Sequence, residues 1–249
     1  MPQLRDAEEL FADLADLPGE VVLSALVGNA RGVRRASDAG VREVVVVVSA
    51  SDAHNRVNLN LPTRESLQGL EEICGLAREK GISVRGAVAT AFGCPYQGEI
   101  NEDQVRVVVE GLLGSGIKEI TLADTAGLAN PRQVWGLSRG LAEKYPQTNW
   151  ALHFHDARGL GLTNALAGLL AGVVTLESSA GGLGGCPFIP GAAGNIATED
   201  LVYMLESMGI QTGIELAGVS RAVEILEAGL GRPVSSRAWC RARPGNPPN

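Results

Sequence analysis

The sequence predicts an α/β fold made of repeated βα units on a parallel sheet, and three observations carry that expectation. Short runs rich in β-branched and aliphatic residues recur along the chain, and segments with a helical apolar period separate most of them. Four glycines stand where a helix must turn directly into a strand. Alternation of this kind admits two architectures, an open doubly wound sheet or a (βα)8 barrel.

In chain order the strand candidates are EVVLSAL (20–26), EVVVVVS (43–49), SVRGAVA (83–89), IKEITLAD (117–124), NWALHFHD (149–156) and GVVTLESS (172–179). RESLQGLEEICGLAREKG follows Thr63 and EDQVRVVVEGLLGSG follows Asn101, both with helical periodicity. Thr63 and Asn101 are residue types that cap a helix by accepting an orphan backbone N–H. Pro131 after Asn130 suits a first helical position, where its missing N–H removes nothing. Gly40, Gly81, Gly116 and Gly172 each precede a β-branched residue, as expected for a left-handed helix end leading into a strand. The strand candidates are continuously apolar, which predicts helices covering both faces. They number six, whereas a barrel closes with eight. Composition alone leaves two readings open, a six-stranded open sheet and a barrel without its first two units.

Bulk properties exclude several partner classes. The 249 residues are enough for one large domain or two small ones. A net charge of −7 without a basic block argues against nucleic acid or an anionic membrane as partner. No apolar run approaches the ~20 residues that cross a bilayer. MPQLRDAEELFADL is acidic and amphipathic, unlike a signal or Arg-rich transit peptide. Cys74, Cys94, Cys186 and Cys240 show no CxxC spacing, which predicts reduced thiols in a cytoplasm-like compartment.

The chemistry-bearing residues cluster at strand ends. His153 and His155 are two apart in LHFHD, so both side chains share one face of a strand that leads into a turn and a helix. The C-terminal end of a parallel strand is where α/β proteins place their sites. The pair is either two metal ligands or two packed, hydrogen-bonded polar residues. Asp124 ends ITLAD at the same level, as a ligand or acid/base group, or as a cap for the next helix. GGLGGCPFIPGAAGN (181–195) then puts six glycines, two prolines and Cys186 into fifteen positions. Such a loop either moves as a lid or brings backbone close to a ligand. It lacks the Gly-Lys-Ser/Thr end of a phosphate-binding loop. Cys186 is a reactive thiol or an inert small hydrophobe. Asn195 is an amide-oxygen ligand or a local turn residue, with Thr198 expected to cap the following helix. His54, in SASDAHNRVN, is a substrate contact or, as a lone loop histidine more often is, a solvated residue; Cys94 reads as structural, and Cys240 is redox-active or without a role.

The run GGLGGCPFIPGAAGNIATEDLVYM (181–204) resembles the signature loop of 3-hydroxy-3-methylglutaryl-CoA lyases. These belong to a wider group of divalent-metal lyases and Claisen-type synthases on (βα)8 barrels. SVRGAVATAFGCPYQGEI (83–100), EITLADTAGLANP (119–131) and LHFHDARGLGLTNAL (152–166) resemble further segments of that family in the same order. The resemblance runs from about the first residue to about residue 230. It implies that His153, His155 and Asn195 are metal ligands, that Cys186 is the loop thiol that handles a proton, and that Asp124 is an active-site carboxylate. The implied cofactor is Mg²⁺ or Mn²⁺, and the implied substrate an acyl-CoA thioester. The implied reaction is retro-Claisen cleavage of 3-hydroxy-3-methylglutaryl-CoA to acetoacetate and acetyl-CoA. A sibling lyase for citramalyl-CoA or an isohexenylglutaryl thioester keeps the same metal and loop. A Claisen synthase fits less well, because its loop normally lacks the Cys-Pro pair. A remnant that binds metal or a partner without turnover is the reading from a different class.

One departure qualifies the resemblance. The family opens with a strand ending in Arg-Asp-Gly, whose Asp completes the metal shell, followed by a second strand. MPQLRDAEELFADL matches the helix after that second strand, and Arg5-Asp6 has no strand before it. The expectation is a (βα)8 TIM barrel lacking its first two βα units, with six parallel strands and C-terminal helices. The chain is then N-terminally shortened and should be poorly soluble and nearly inactive. The barrel domain is expected over residues 1–230, with 231–249 as a flexible tail. The family's members resemble homodimers. The compartment is cytoplasmic, or the mitochondrial matrix if a targeting segment belongs to the absent N-terminus.

Overall fold

The computed structural model describes residues 5–18, 20–185, 188 and 193–242. Six strands, β1 (Ser24–Val27), β2 (Glu43–Ser49), β3 (Ser83–Ala89), β4 (Glu119–Asp124), β5 (Asn149–Phe154) and β6 (Thr175–Glu177), hydrogen-bond in strict chain order. The pairings β1–β2, β2–β3, β3–β4 and β5–β6 are all parallel. A doubly wound sheet reverses its strand order at a switch point, whereas successive barrel strands never do. The unbroken order therefore excludes the open-sheet alternative.

Ten helices intervene or follow among the described residues: α1 (Ala7–Asp13), α2 (Ala30–Asp38), α3 (Asp52–Leu59), α4 (Thr63–Glu79), α5 (Glu102–Gly114), α6 (Pro131–Lys144), α7 (Gly161–Leu170), α8 (Thr198–Ser207), α9 (Leu216–Leu230) and α10 (Arg237–Ala242). None is long and apolar enough to cross a membrane. The contacts divide into two compact units. The first comprises Met1–Ala91, Tyr96–Leu122 and Tyr145–Trp150, and the second Phe92–Pro95, Ala123–Lys144 and Ala151–Asn249.

In the first unit, Val44, Val46 and Val48 of β2 are buried with Val33, Leu70 and Ala77 from the helices. Val45 and Val47, on the opposite face, are only half-buried. The expectation of strands covered on both faces holds for β4, whose last five residues are all buried, but not for β2, which alternates, or for β1, which among the described residues has one neighbouring strand and an exposed Leu26. Asn101 caps α5 as expected, in a reciprocal box with Gln104. Thr63 does not cap. It is the first residue of α4, and its Oγ1 donates to the Ser49 carbonyl at 3.0 Å.

His54 also departs from expectation. It lies on α3, is 1 % exposed, and its Nδ1 is 3.1 Å from Ser49 Oγ. Polar side chains build this short helix. Ser51 Oγ accepts from His54 N, while Asn55 accepts from Ser49 N and donates to Leu61 O and Ser66 Oγ. A cap and a fully bonded asparagine replace the apolar period that would have announced a helix.

In the second unit Leu152 and Phe154 of β5 are buried, as are Val134 and Leu141 of α6, Ala165 of α7 and Val202 of α8. Asn130 accepts from Gln133 N, so Pro131 opens α6 as expected. Thr198 is the first residue of α8 rather than its cap, with Oγ1 2.9 Å from Ser178 Oγ. Residues 231–242, expected to be a flexible tail, carry α10 and the buried side chains of Val234 and Trp239.

Candidate metal centre and active site

The second unit brings three of the five predicted site residues, together with Glu177, into one cluster by two backbone pairings. The parallel register of β5 on β6 sets His153 beside Glu177, so both side chains project from the same face. Just beyond β5, His155 forms an antiparallel bridge with Asn195, held by Asp156 N to Gly194 O and Ile196 N to Phe154 O at 3.0 Å each. The two imidazole centroids are 5.2 Å apart. The HxH spacing thus does what the sequence implied, and the return of the glycine-rich segment adds the asparagine.

Hydrogen bonding selects the tautomers. His155 Nδ1 lies 2.8 Å from the Ala193 carbonyl, which only accepts, so this nitrogen carries the proton. His153 Nδ1 lies 3.1 Å from Glu177 Oε2, and an ionised carboxylate also only accepts. In their neutral forms both rings therefore present Nε2 with a free lone pair, the form that ligates a metal. Burial lowers the His155 pKa below the usual imidazole value, with the neighbouring His153 acting the same way and the Ala193 bond opposing. The ring is therefore neutral at pH 7.

Asn195 is the third candidate donor. Its Nδ2 donates to the Leu183 carbonyl at 2.8 Å, which orients the amide. Its Oδ1 is then buried with no hydrogen-bond partner. A buried amide oxygen left unpaired costs about 1–3 kcal/mol, and a cation would remove that cost. Two imidazole nitrogens and an oxygen fit a divalent ion. Among the described residues no three His, Cys, Asp or Glu side chains converge.

Asp124 ends β4 and is fully buried. Its Oδ1 accepts from Leu128 N at 2.8 Å and its Oδ2 from Ala129 N at 3.1 Å, so both oxygens hold the β4–α6 turn. Burial pushes its pKa up to about 6, against the two amides and the charges of Arg158 and His153. Arg158 ties the same turn to the segment after β5 by donating to the Gly127 carbonyl at 2.7 Å. Cys186 lies outside the described residues. Cys94 is buried, as a structural cysteine should be. Glu177 was missed from the sequence. The signal was there: a ligating histidine usually donates its second N–H to a carboxylate, and Glu177 lies at the matching level of the next strand candidate.

A family model described as HMGL-like matches residues 6–226. The chain belongs to the HMGL-like family. It is 42 % identical over 237 residues to a hydroxymethylglutaryl-CoA lyase of Bacillus subtilis, covering 95 % of this chain and 79 % of that protein. It is 41 % identical over 211 residues to an (R)-citramalyl-CoA lyase of Chloroflexus aurantiacus, covering 85 % and 67 % respectively. A solved HMG-CoA lyase from Acenitobacter baumannii, in complex with coenzyme A and 3-methylmalate, superposes with a TM-score of 0.92 at 42 % identity. That match covers 98 % of this chain and 79 % of the other. The HMGL-like fold is thus the barrel type that the strand order indicated, and these relatives are carbon–carbon lyases.

Proposed function

We propose that the chain is a metal-dependent lyase that cleaves 3-hydroxy-3-methylglutaryl-CoA to acetoacetate and acetyl-CoA. The observation that carries this reading is the pairing of His155 with Asn195 beside the His153 ring, 5.2 Å away, together with the unpaired, buried Asn195 Oδ1. His153, His155 and Asn195 would hold a divalent cation, Mg²⁺ or Mn²⁺. Bound there, the ion supplies Lewis acidity that eases loss of the substrate hydroxyl proton.

The reaction has a defined electron flow. As the C3 hydroxyl loses its proton and becomes a ketone, the C2–C3 bond breaks and its electron pair passes to the thioester enolate. A proton delivered to C2 then completes acetyl-CoA. Glu177 keeps His153 in the correct tautomer through its 3.1 Å contact. Asp124 shapes the β4–α6 turn beside the cluster and, with a pKa of about 6, is mostly anionic at pH 7. Cys186, in the same glycine-rich segment as Asn195, is the proposed proton donor to C2. A thiol suits that task because its ordinary pKa lies a little above neutrality.

The test is acetoacetate release from 3-hydroxy-3-methylglutaryl-CoA, with citramalyl-CoA as competitor, in Mn²⁺ and in EDTA. It is run on this chain and on the product of the reading frame extended upstream of Met1. The expected result is metal-dependent cleavage of the glutaryl thioester that falls at least ~100-fold in Asn195→Ala. Preferential cleavage of citramalyl-CoA would move the assignment to the sibling substrate. Folded protein of both lengths that cleaves neither thioester would overturn it.

A further inference from the structure

Residues 231–242 pack against the base of the glycine-rich segment and are themselves held at several points. Val234 and Trp239, each 5 % exposed, join Val223 of α9 in an apolar cluster on which Ala180 and Leu183 rest. Glu227 of α9 braces them, accepting from Val234 N and from Trp239 Nε1 at 2.8 Å each. Asp200 of α8 anchors the start of α10: its Oδ1 accepts from Ser236 Oγ and Ala238 N, and its Oδ2 from Arg237 N, at 2.7–3.0 Å.

The neighbouring Glu199 and Ser235 grip one residue from two sides. Gly181 N lies 3.1 Å from each oxygen of the buried Glu199 carboxylate. Gly181 O accepts from Ser235 N at 3.2 Å and from Ser235 Oγ at 3.3 Å. Gly181 has φ +67°, and a Cβ there would come within 2.9 Å of Val234 Cγ1. Two residues on, Leu183 lies against the Val234–Trp239 cluster while its carbonyl accepts from Asn195 Nδ2 at 2.8 Å. A continuous set of contacts therefore leads from the C-terminal helix to the amide whose oxygen is left buried and unpaired.

We infer that residues 231–242 are a strut: Val234, Ser235 and Trp239 are positioning residues that hold the base of the glycine-rich segment and, through the Leu183 carbonyl, the orientation of the Asn195 side chain. A segment this rich in glycine has little conformational preference of its own, so its geometry must be imposed from outside. The contacts to Gly181 and Leu183 impose it. The link to metal binding rests on the reading of Asn195 as a ligand; the mechanical link does not.

The experiment compares Trp239→Ala, Asp200→Asn and the milder Val234→Ala with the parent chain by hydrogen exchange and by Mn²⁺ titration followed by electron paramagnetic resonance. The expected result is amide exchange at least ~10-fold faster at residues 180–185 and 193–197 with α6 and α7 unchanged, a local opening rather than a global one. The Mn²⁺ dissociation constant should rise by roughly tenfold, the lower end for groups that orient a ligand. Unchanged protection at 180–185 would overturn the strut. So would equal acceleration in α6 and α7, which marks a general loss of stability. Local loosening in a chain that binds no Mn²⁺, parent included, would uphold the strut and remove the ligand reading of Asn195.

Discussion

Glu177 offers a quantitative test of the proposed centre, because its carboxylate acts on the metal only through His153. The contact is 3.1 Å long, between side chains 25 % and 31 % exposed. Hydrogen bonds to charged groups contribute about 1.5–3 kcal/mol. Partial exposure to solvent reduces this to roughly 1–2 kcal/mol. At 1.4 kcal/mol per tenfold, Glu177→Ala should weaken Mn²⁺ binding by about 5–30-fold. Glu177→Gln keeps an acceptor but loses the charge, and should fall near the lower end. Titration with Mn²⁺ measures the affinity, and nitrogen shifts of metal-free His153 report the tautomer directly. The parent should show the proton on Nδ1, and the alanine variant a shift toward Nε2. Unchanged affinity with an unchanged tautomer in Glu177→Ala would refute the orienting role.

Two further outcomes follow from the same cluster. The Asp124 pKa is raised from 3.8 to about 6, so its burial is fully tolerated below pH 3.8 and opposed once the group ionises. Stability in EDTA should therefore fall as pH rises from about 4 through 6, by at most ~3 kcal/mol from this residue. Denaturant titrations of parent and Asp124→Asn, subtracted across that window, check the sign; a difference that grows in the opposite direction contradicts it. At Gly194 an added Cβ would collide with the Gly182 carbonyl oxygen. Gly194→Ala should break the bridge between His155 and Asn195 and cost about 1–3 kcal/mol, read as a lower calorimetric midpoint together with weaker Mn²⁺ binding.

Long-period features of this chain were legible, and locally bonded ones were not. The six strands, the Asn101 and Pro131 helix starts and the glycine-to-strand turns all follow from patterns that repeat over many residues. Their energetics are set by burial and backbone conformation, which composition reports. α3 was missed because a serine cap and the Asn55 bonds support it in place of an apolar face. The strut was missed because SSRAWCRA shows no period, yet one tryptophan and the Asp200 cap suffice to dock it. Within the site, HxH placed two imidazoles side by side, with centroids 5.2 Å apart. Glu177 needed the register of two strands far apart in sequence, and the commitment of both Asp124 oxygens to backbone amides has no sequence signature at all.

The glycine-rich segment bears on how composition should be read at such a site. A mobile lid was one expectation, and mobility alone would make its glycines interchangeable. Where the segment is described, they are not interchangeable. A Cβ at Gly184, where φ is +104°, would sit 2.5 Å from Asn195 Nδ2, and Gly194 lies against the Gly182 carbonyl. These positions permit backbone to approach backbone closely enough for Leu183 O to accept from the Asn195 side chain and for Gly194 O to accept from Asp156 N. Larger residues would hold the strands of the segment apart and leave His155 without its bridge partner. The glycines at both ends of the segment thus serve close packing that places the Asn195 side chain. Such packing calls for external bracing, because glycine supplies no conformational bias of its own; the bracing found is the grip of Glu199 and Ser235 on Gly181.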